Sequence, residues 1–132
     1  MNSTLVISDN SIQNIIYDIR GDKVMLDYDL ATIYGVETRT LNQAVKRNIE
    51  RFPADFMFRL TVTEWEEVMR NILINNMPSQ IVTASLDRRN KSTPPYAFTE
   101  HGAVMLASVL RSPSAIQMSV IVVFVLEYFV LL

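Results

Sequence analysis

The spacing of apolar and polar residues in the first third of the chain predicts a β-hairpin followed by two short helices. Two apolar runs flank Arg20-Gly21-Asp22, and a glycine-containing tip between β-type runs is typical of a hairpin. The next segment, Asp29–Gly35, has the pattern of a short helix. Asp27 or Asp29 is expected to cap its free amide groups. Gly35 is expected to end it, because glycine adopts a positive φ without steric cost.

The second helix has the clearest two-sided pattern. Thr38 or a neighbour is predicted to cap this helix. The helix is predicted to run to about Arg51, since the residue before Pro53 avoids the α conformation. At 100° per residue, the aliphatic face groups Leu41, Val45, Ile49 and Phe52. The opposite face carries Arg39, Gln43, Lys46, Arg47 and Glu50, with Asn42 at its edge. Asn48 lies on the inner side and is predicted to form a structural hydrogen bond.

The rest of the chain alternates short strands with helices. "FMFRL" is predicted to be a strand, and Thr61 with Glu64 has the spacing of a capping box. The helix after it carries an apolar stripe: Trp65, Val68, Met69, Ile72 and Leu73. "QIVTAS" and "YAFT" are predicted strands on either side of the polar loop "LDRRNKSTPP".

Two helices are expected at the C-terminal end. Thr99 is predicted to cap "EHGAVMLASVL", and Ser112-Pro113 begins the last helix with a cap and a proline at the first helical position. Strands and helices without a βαβ repeat indicate the α+β class. We therefore expect a loose N-terminal segment, 1–10, and one small domain over 11–132. This winged-helix-like domain has β-hairpins, a helix-turn-helix and an apolar C-terminal helix, 113–132.

Composition excludes several kinds of site. The 132 residues contain no cysteine and one histidine, His101, so disulfides, thiolate metal sites and histidine clusters are excluded. No nucleophile, base and orienting group are arranged as a catalytic set. We therefore expect no cofactor and no enzymatic activity. No basic segment precedes an apolar run at the start of the chain, and we expect a cytoplasmic protein.

Charge is unevenly distributed along the chain. The formal net charge is −2, yet Thr38–Arg59 carries five cations and two anions, and "DRRNK" carries three cations and one anion. The acids gather in "YDIRGDKVMLDYD" and "TEWEEV". Because phosphates dock on local rather than total charge, the acidic balance does not exclude nucleic acid.

Residue spacing between the two short helices favours a helix-turn-helix. Ala31 lies four residues before Gly35 and allows close helix approach, whereas Leu41 lies six residues after it and fills the angle between the helices. Asn and Gln can pair with adenine, and Arg and Lys with guanine or phosphate. A solvated polar face is the plainer reading of the same residues.

Together these segments resemble the ORF6N domain, which is related to the KilA-N and Bro-N domains of phages, large DNA viruses and prophages. The resemblance covers about Ile15 to Gln117 and is carried by "LNQAVKRN", "RFPADFMF" and "AFTEHGAVML". It implies a DNA-binding module of a phage regulator or antirepressor, with Thr38 through Arg51 as the recognition helix. The last helix departs from the family pattern, because Glu127 is the only charge in "SVIVVFVLEYFVLL".

These observations give one predicted site and one alternative. The predicted contacts with double-stranded DNA are Thr38, Arg39, Asn42, Gln43, Lys46, Arg47, Arg88, Arg89 and Lys91. Arg59 is expected to reach a phosphate or to stay solvated. The run Val120–Leu132 is too short for a membrane span, so we expect it to pack under the domain or to form a homodimer. Alternatively, the protein docks a repressor or other partner through this helix and leaves DNA alone.

Overall fold

An antiparallel sheet of four short strands organises the chain in the computed structural model, which describes residues 15–75 and 93–131. The strands are β1 (Ile16–Ile19), β2 (Asp22–Leu26), β3 (Met57–Arg59) and β4 (Tyr96–Phe98). Their spatial order is β1-β2-β4-β3. β4 therefore lies between two strands that precede it by at least 37 residues in sequence.

The β1–β2 hairpin turns through two residues with positive φ, Arg20 at 57° and Gly21 at 84°. Two successive positive φ angles are the requirement of the tight hairpin turn whose twist matches that of its strands. The pairing of Ile19 with Asp22 and of Ile16 with Met25 fixes the register. The predicted hairpin is confirmed.

Five α-helices complete the described fold. They are α1 (Asp27–Tyr34), α2 (Thr38–Arg47), α3 (Val62–Asn75), α4 (Glu100–Leu110) and α5 (Pro113–Leu131). A 3₁₀ turn, Ile49–Arg51, follows α2. The predicted α+β class is confirmed.

Side-chain alternation along the strands separates two hydrophobic clusters on opposite faces of the sheet. Met25 and Phe98 point to a cluster built with α1, α2, α4 and α5, whereas their neighbours Leu26 and Ala97 point to a cluster built with α3. We call the first face the helix-turn-helix side and the second the α3 side. The domain is thus layered, with four helices on one side of the sheet and one on the other.

The α3 side confirms the predicted capping box and most of the apolar stripe. The amide of Thr61 donates to Glu64 Oε1 at 2.8 Å, and the amide of Glu64 donates to Thr61 Oγ1 at 3.1 Å. Trp65 is buried, as predicted, with Val68 and Ile72, but Leu73 is exposed. Met69 packs partly buried against the same cluster, so the prediction is wrong only at Leu73.

The capping expected for α1 and α2 is wrong. The residues before these helices, Leu26 and Glu37, make no side-chain cap, and Asp27 and Asp29 lie inside the first turn of α1. Acidic groups in a first turn still interact favourably with the helix dipole. The predicted caps of the last two helices are confirmed, since Thr99 Oγ1 accepts from the amide of Gly102 and Ser112 Oγ from the amide of Ala115.

The predicted inner face of the second helix is wrong at Ile49, which is 52% exposed. The α-helix ends at Arg47, four residues earlier than expected, and a 3₁₀ turn takes over. The backbone leaves the α-helical conformation at Asn48, with φ −123° and ψ 33°, and this turns Ile49 out of line with Leu41 and Val45. Phe52 nevertheless returns to the core, where it packs edge-to-face on Phe98.

The C-terminal helix α5 packs on the domain with one of its faces only. Its buried side chains are Ala115, Met118, Val122 and Leu126. A second row is exposed although apolar: Ile116, Val120, Ile121, Phe124 and Tyr128. Within residues 15–75 and 93–131, none of the helices combines the length and the hydropathy that a bilayer crossing requires.

Several predictions lie outside the described residues. They are the loose segment 1–10, the strand "QIVTAS" and the greater part of the loop "LDRRNKSTPP", including Arg88, Arg89 and Lys91. These stay predictions.

Candidate nucleic-acid interface

Four polar side chains form an exposed row along α2, which we call the α2 strip: Arg39, Gln43, Lys46 and Arg47. Their spacing of four, three and one residues keeps them on the same half of the helix. Leu41 and Val45 on the other half are buried. Because the aliphatic half is fixed in the core, the strip points to solvent as the sequence predicted.

The turn between α1 and α2 fixes the direction in which the strip points. Gly35 has a φ of 72° and donates to Thr32 O at 3.3 Å, while the amide of Val36 donates to Ala31 O at 3.0 Å. Ala31 and Leu41 are buried at the helix contact. The small residue, the left-handed glycine and the plugging leucine therefore have the roles that the helix-turn-helix pattern assigned to them.

Tyr34 anchors the helix-turn-helix to α4. Its ring is fully buried, and its hydroxyl donates to Ala103 O at 2.9 Å. Burial raises the pKa of the Tyr34 phenol, because the charged form loses its hydration. The hydroxyl therefore stays protonated and keeps donating throughout the ordinary pH range.

Asp27 joins three elements beneath α2. The residue is 1% exposed, and its Oδ2 accepts from the amide of Tyr96 at 3.2 Å and from Nδ2 of Asn42 at 3.3 Å. Sequence reasoning gave Asp27 only a capping role. The missed signal is its spacing, since position 27 precedes the buried Ala31 by four residues and so lies on the inward row of α1.

The cations of the α2 strip lack ionic partners within the described structure. The two ion pairs found there join Arg20 to Glu64 and Lys23 to Asp18. α2 itself contains no acidic residue, and its last turn carries Lys46 and Arg47. The strip is thus a row of exposed donors whose charge is not neutralised by a neighbouring carboxylate, which is the electrostatic requirement of a phosphate contact.

Two other predicted contacts differ from the strip in their burial. Thr38 begins α2 and is half-buried, and Asn42 is half-buried with its Nδ2 bound to Asp27. Asn48 donates from Nδ2 to Ala44 O at 2.8 Å, which confirms its predicted structural role.

Arg59 is exposed, in keeping with the expected solvated side chain, but contacts that the sequence did not reveal hold its guanidinium. Its Nη1 donates to Pro94 O at 2.8 Å, and its guanidinium lies 4.2 Å from the centre of the Tyr96 ring. A carbonyl acceptor and an aromatic face both hold the group on the sheet. Arg59 therefore fastens the segment before β4 to β3.

The described residues contain no group of three or more His, Asp or Glu side chains placed to hold a metal ion. His101 stacks on Phe56 with ring centres 5.4 Å apart. Its neighbour Glu100 has its pKa raised, first by burial and then by a hydrogen bond with Glu127.

The fold and the α2 strip place the protein in the class of helix-turn-helix domains. The sequence model of the ORF6N domain family matches residues 14–109. The chain therefore belongs to the ORF6N family, as the resemblance predicted, and this family indicates a phage-type DNA-binding or regulatory domain. No curated protein and no solved structure matches the chain significantly.

Proposed function

We propose that this protein is the DNA-binding domain of a phage- or prophage-type transcriptional regulator or antirepressor, acting in the cytoplasm by binding and not by catalysis. One observation carries the proposal. The α2 strip is an exposed row of donors without ionic partners among the described residues, and a helix-turn-helix holds it away from the core. In this architecture the second helix enters the major groove.

The side chains of the α2 strip are suited to different groups of the DNA. Arg39, Lys46 and Arg47 supply positive charge for phosphates or for guanine acceptors, and Gln43 supplies a paired donor and acceptor for adenine. The ORF6N membership supports the same assignment. Arg88, Arg89 and Lys91 lie outside the described residues and stay predicted phosphate contacts.

The proposal is tested by the salt dependence of duplex binding. Lys46→Ala should weaken binding to every duplex and lower the slope of log K against log salt by about 0.9, the value for one phosphate contact. Arg70→Ala is a matched control, because Arg70 is an exposed cation on α3 and its loss should leave both quantities unchanged. Absence of salt-sensitive binding to any duplex at micromolar wild-type protein would refute the proposal.

The exposed row of α5 supports a second part of the proposal, a homodimer. We call this row the α5 stripe: Ile116, Val120, Ile121, Phe124 and Tyr128. Exposed apolar patches of this extent mark interaction sites. The five residues of the α5 stripe are uncharged, and Glu127, near the end of α5, is the one charge on the same side of the helix. An antiparallel, two-fold contact keeps the two Glu127 carboxylates apart. Two such stripes bury on the order of 1,000 Å², the lower range of specific interfaces.

Dimerisation is tested by one substitution on the stripe. Phe124 is 68% exposed, so Phe124→Lys should leave the fold intact and give a monomer in sedimentation velocity. Ser114→Lys adds the same charge at an exposed polar position of α5 and should stay dimeric. Wild-type protein that is monomeric at all concentrations would contradict the homodimer.

The same variant, Phe124→Lys, also tests the alternative function, which is docking of a repressor or other partner through α5. Removal of Val120–Leu132 is unsuitable as a test, because Val122 and Leu126 are buried in the core. Two results together would favour this alternative over the DNA-binding function. Phe124→Lys would abolish capture of a repressor, and substitution of Arg39, Lys46 or Arg47 would affect no activity.

A further inference from the structure

The two neighbouring amide side chains of α2 have different surroundings. Gln43 is exposed, whereas Asn42 is half-buried. Nδ2 of Asn42 lies 3.3 Å from Oδ2 of Asp27, and Oδ1 of Asn42 is shielded from solvent. The sequence alone assigned both residues to DNA contact, since the helical wheel places Asn42 at the edge of the polar face.

Recognition of adenine requires both ends of an amide. The nitrogen must donate to N7 while the oxygen accepts from the 6-amino group. In this structure the nitrogen of Asn42 is turned inward to Asp27, and its oxygen has no exposed surface. Only Gln43 therefore presents a complete amide from the described part of α2 to a duplex.

The acceptor of Asn42 is itself fixed to the sheet. Asp27 is buried in the first turn of α1, and the same Oδ2 accepts from the amide of Tyr96 in β4 at 3.2 Å. A hydrogen bond from a side chain of α2 to this atom joins the helix to both α1 and β4. Because it acts on one side of α2, it restrains rotation of the helix about its own axis.

We infer that Asn42 is a positioning residue, which orients α2 through Asp27, and that Gln43 is the amide that reads bases. The inference rests on the proposed DNA-binding function and assigns separate roles within it. Loss of a positioning residue weakens all specific contacts together, whereas loss of a reading residue relaxes one base position.

The experiment selects duplexes from a random-sequence library, first with the wild-type protein and then with each variant. Gln43→Ala should relax preference at one position and raise the Kd for the selected duplex by about 5- to 150-fold. Asn42→Ala should return the same site with every position weakened evenly. If Asn42→Ala relaxes one position and Gln43→Ala relaxes none, the inference is overturned.

Variants of Asp27 test the connection directly. Asp27→Ala should raise the Kd for the selected duplex as much as Asn42→Ala does, and the double variant should be no weaker than either single one. Asp27→Asn should restore wild-type affinity within about threefold, because one oxygen accepts both hydrogen bonds. Additive effects of Asp27→Ala and Asn42→Ala would contradict a shared role.

A DNA-independent measurement distinguishes failure of the inference from failure of the proposed function. Asn42→Ala should increase hydrogen exchange of the α2 amides relative to Gln43→Ala, whether or not DNA binds. If wild-type protein enriches no sequence, the proposed function fails while this difference still decides the positioning role. Equal hydrogen exchange in Asn42→Ala and Gln43→Ala would overturn the positioning role. This measurement needs no Asp27 variant, so it tests the role even if Asp27→Ala does not fold.

Discussion

The helices on the two sides of the sheet are held to the strands by different kinds of contact. On the α3 side, long side chains make the contact: Arg20 donates to both carboxyl oxygens of Glu64 at 2.9 Å, and its guanidinium lies 4.1 Å from the centre of the Phe58 ring. On the helix-turn-helix side, backbones meet closely. The carbonyl of Phe56 accepts from the amide of Thr99 at 3.0 Å and lies directly against Gly102.

Their outer surfaces differ in charge as well. The α2 strip carries three cations and no acid, whereas the exposed surface of α3 carries two acids, Glu66 and Glu67, and one cation, Arg70. The sheet lies between these two surfaces. A net charge of −2 therefore averages a basic surface with an acidic one, and it describes neither of them.

Close backbone packing should make the helix-turn-helix side the more sensitive to added volume. A Cβ at Gly102 would overlap the Phe56 carbonyl, which is backbone and cannot move aside. We expect Gly102→Ala to lower the free energy of unfolding by roughly 2–4 kcal/mol, as overpacking of a fixed contact does. Chemical denaturation measures the loss.

Gly35→Ala is the matched control for this substitution. A Cβ at Gly35 meets nothing within 4 Å, so only the positive φ of 72° is strained, at about 1–2 kcal/mol. Gly102→Ala should therefore be the more damaging of the two. An equal or smaller loss would mean that α4 is not docked by this close contact.

The side-chain contact on the α3 side should be weaker and sensitive to pH. Glu64→Gln removes the ion pair with Arg20 and keeps the capping box, because the Gln amide oxygen can still accept from the amide of Thr61. Because the pair is partly exposed, we expect a loss of about 1 kcal/mol near neutral pH. Glu67→Gln, on an exposed position of the same helix, should change stability little.

The pH dependence follows from the direction of the shift. The hydrogen bond from Arg20 lowers the pKa of Glu64 in the folded protein. A carboxyl group whose pKa is lower in the folded state stabilises the fold at pH values above its unfolded-state pKa. This stabilisation is lost as the pH falls through its folded-state pKa. Wild type and Glu64→Gln should therefore differ near pH 7 and converge as the pH falls below the lowered pKa of Glu64. A difference that stays constant with pH would exclude the ion pair as its source.

Local patterns predicted much of this fold. The hairpin tip at Gly21, the capping box of Thr61 and Glu64, and the bounds of α4 each depend on residues within a few positions of one another. Such interactions are visible in sequence because both partners lie in one short window.

The contacts that the sequence did not reveal join distant segments. Arg59 binds Pro94, 35 residues away, and Asp27 binds Tyr96, 69 residues away. A helical wheel contains no information on such partners. Ile49 failed for a different reason, since the wheel assumed one continuous α-helix where a 3₁₀ turn begins. The α2 strip was predictable because exposure requires no distant partner.

The smallest expected effect tests the separation of the two surfaces. Glu66→Lys with Glu67→Lys changes the net charge from −2 to +2, yet it should alter the Kd for a duplex by less than about threefold. The two layers between α3 and a duplex on α2 span roughly 20 Å, and screening at 0.1 M salt acts over about 10 Å.

An identical change of charge beside the α2 strip is the comparison that decides this point. Glu37→Lys with Glu50→Lys alters two exposed positions that flank α2 and should tighten duplex binding by about tenfold or more, since added cations there release counterions from the DNA. Equal tightening by both pairs, measured by fluorescence anisotropy at 0.1 M salt, would show that total charge governs binding. If only Glu37→Lys with Glu50→Lys tightens binding, the duplex must lie on the helix-turn-helix side. The two double variants have the same net charge and differ in where the added charge lies.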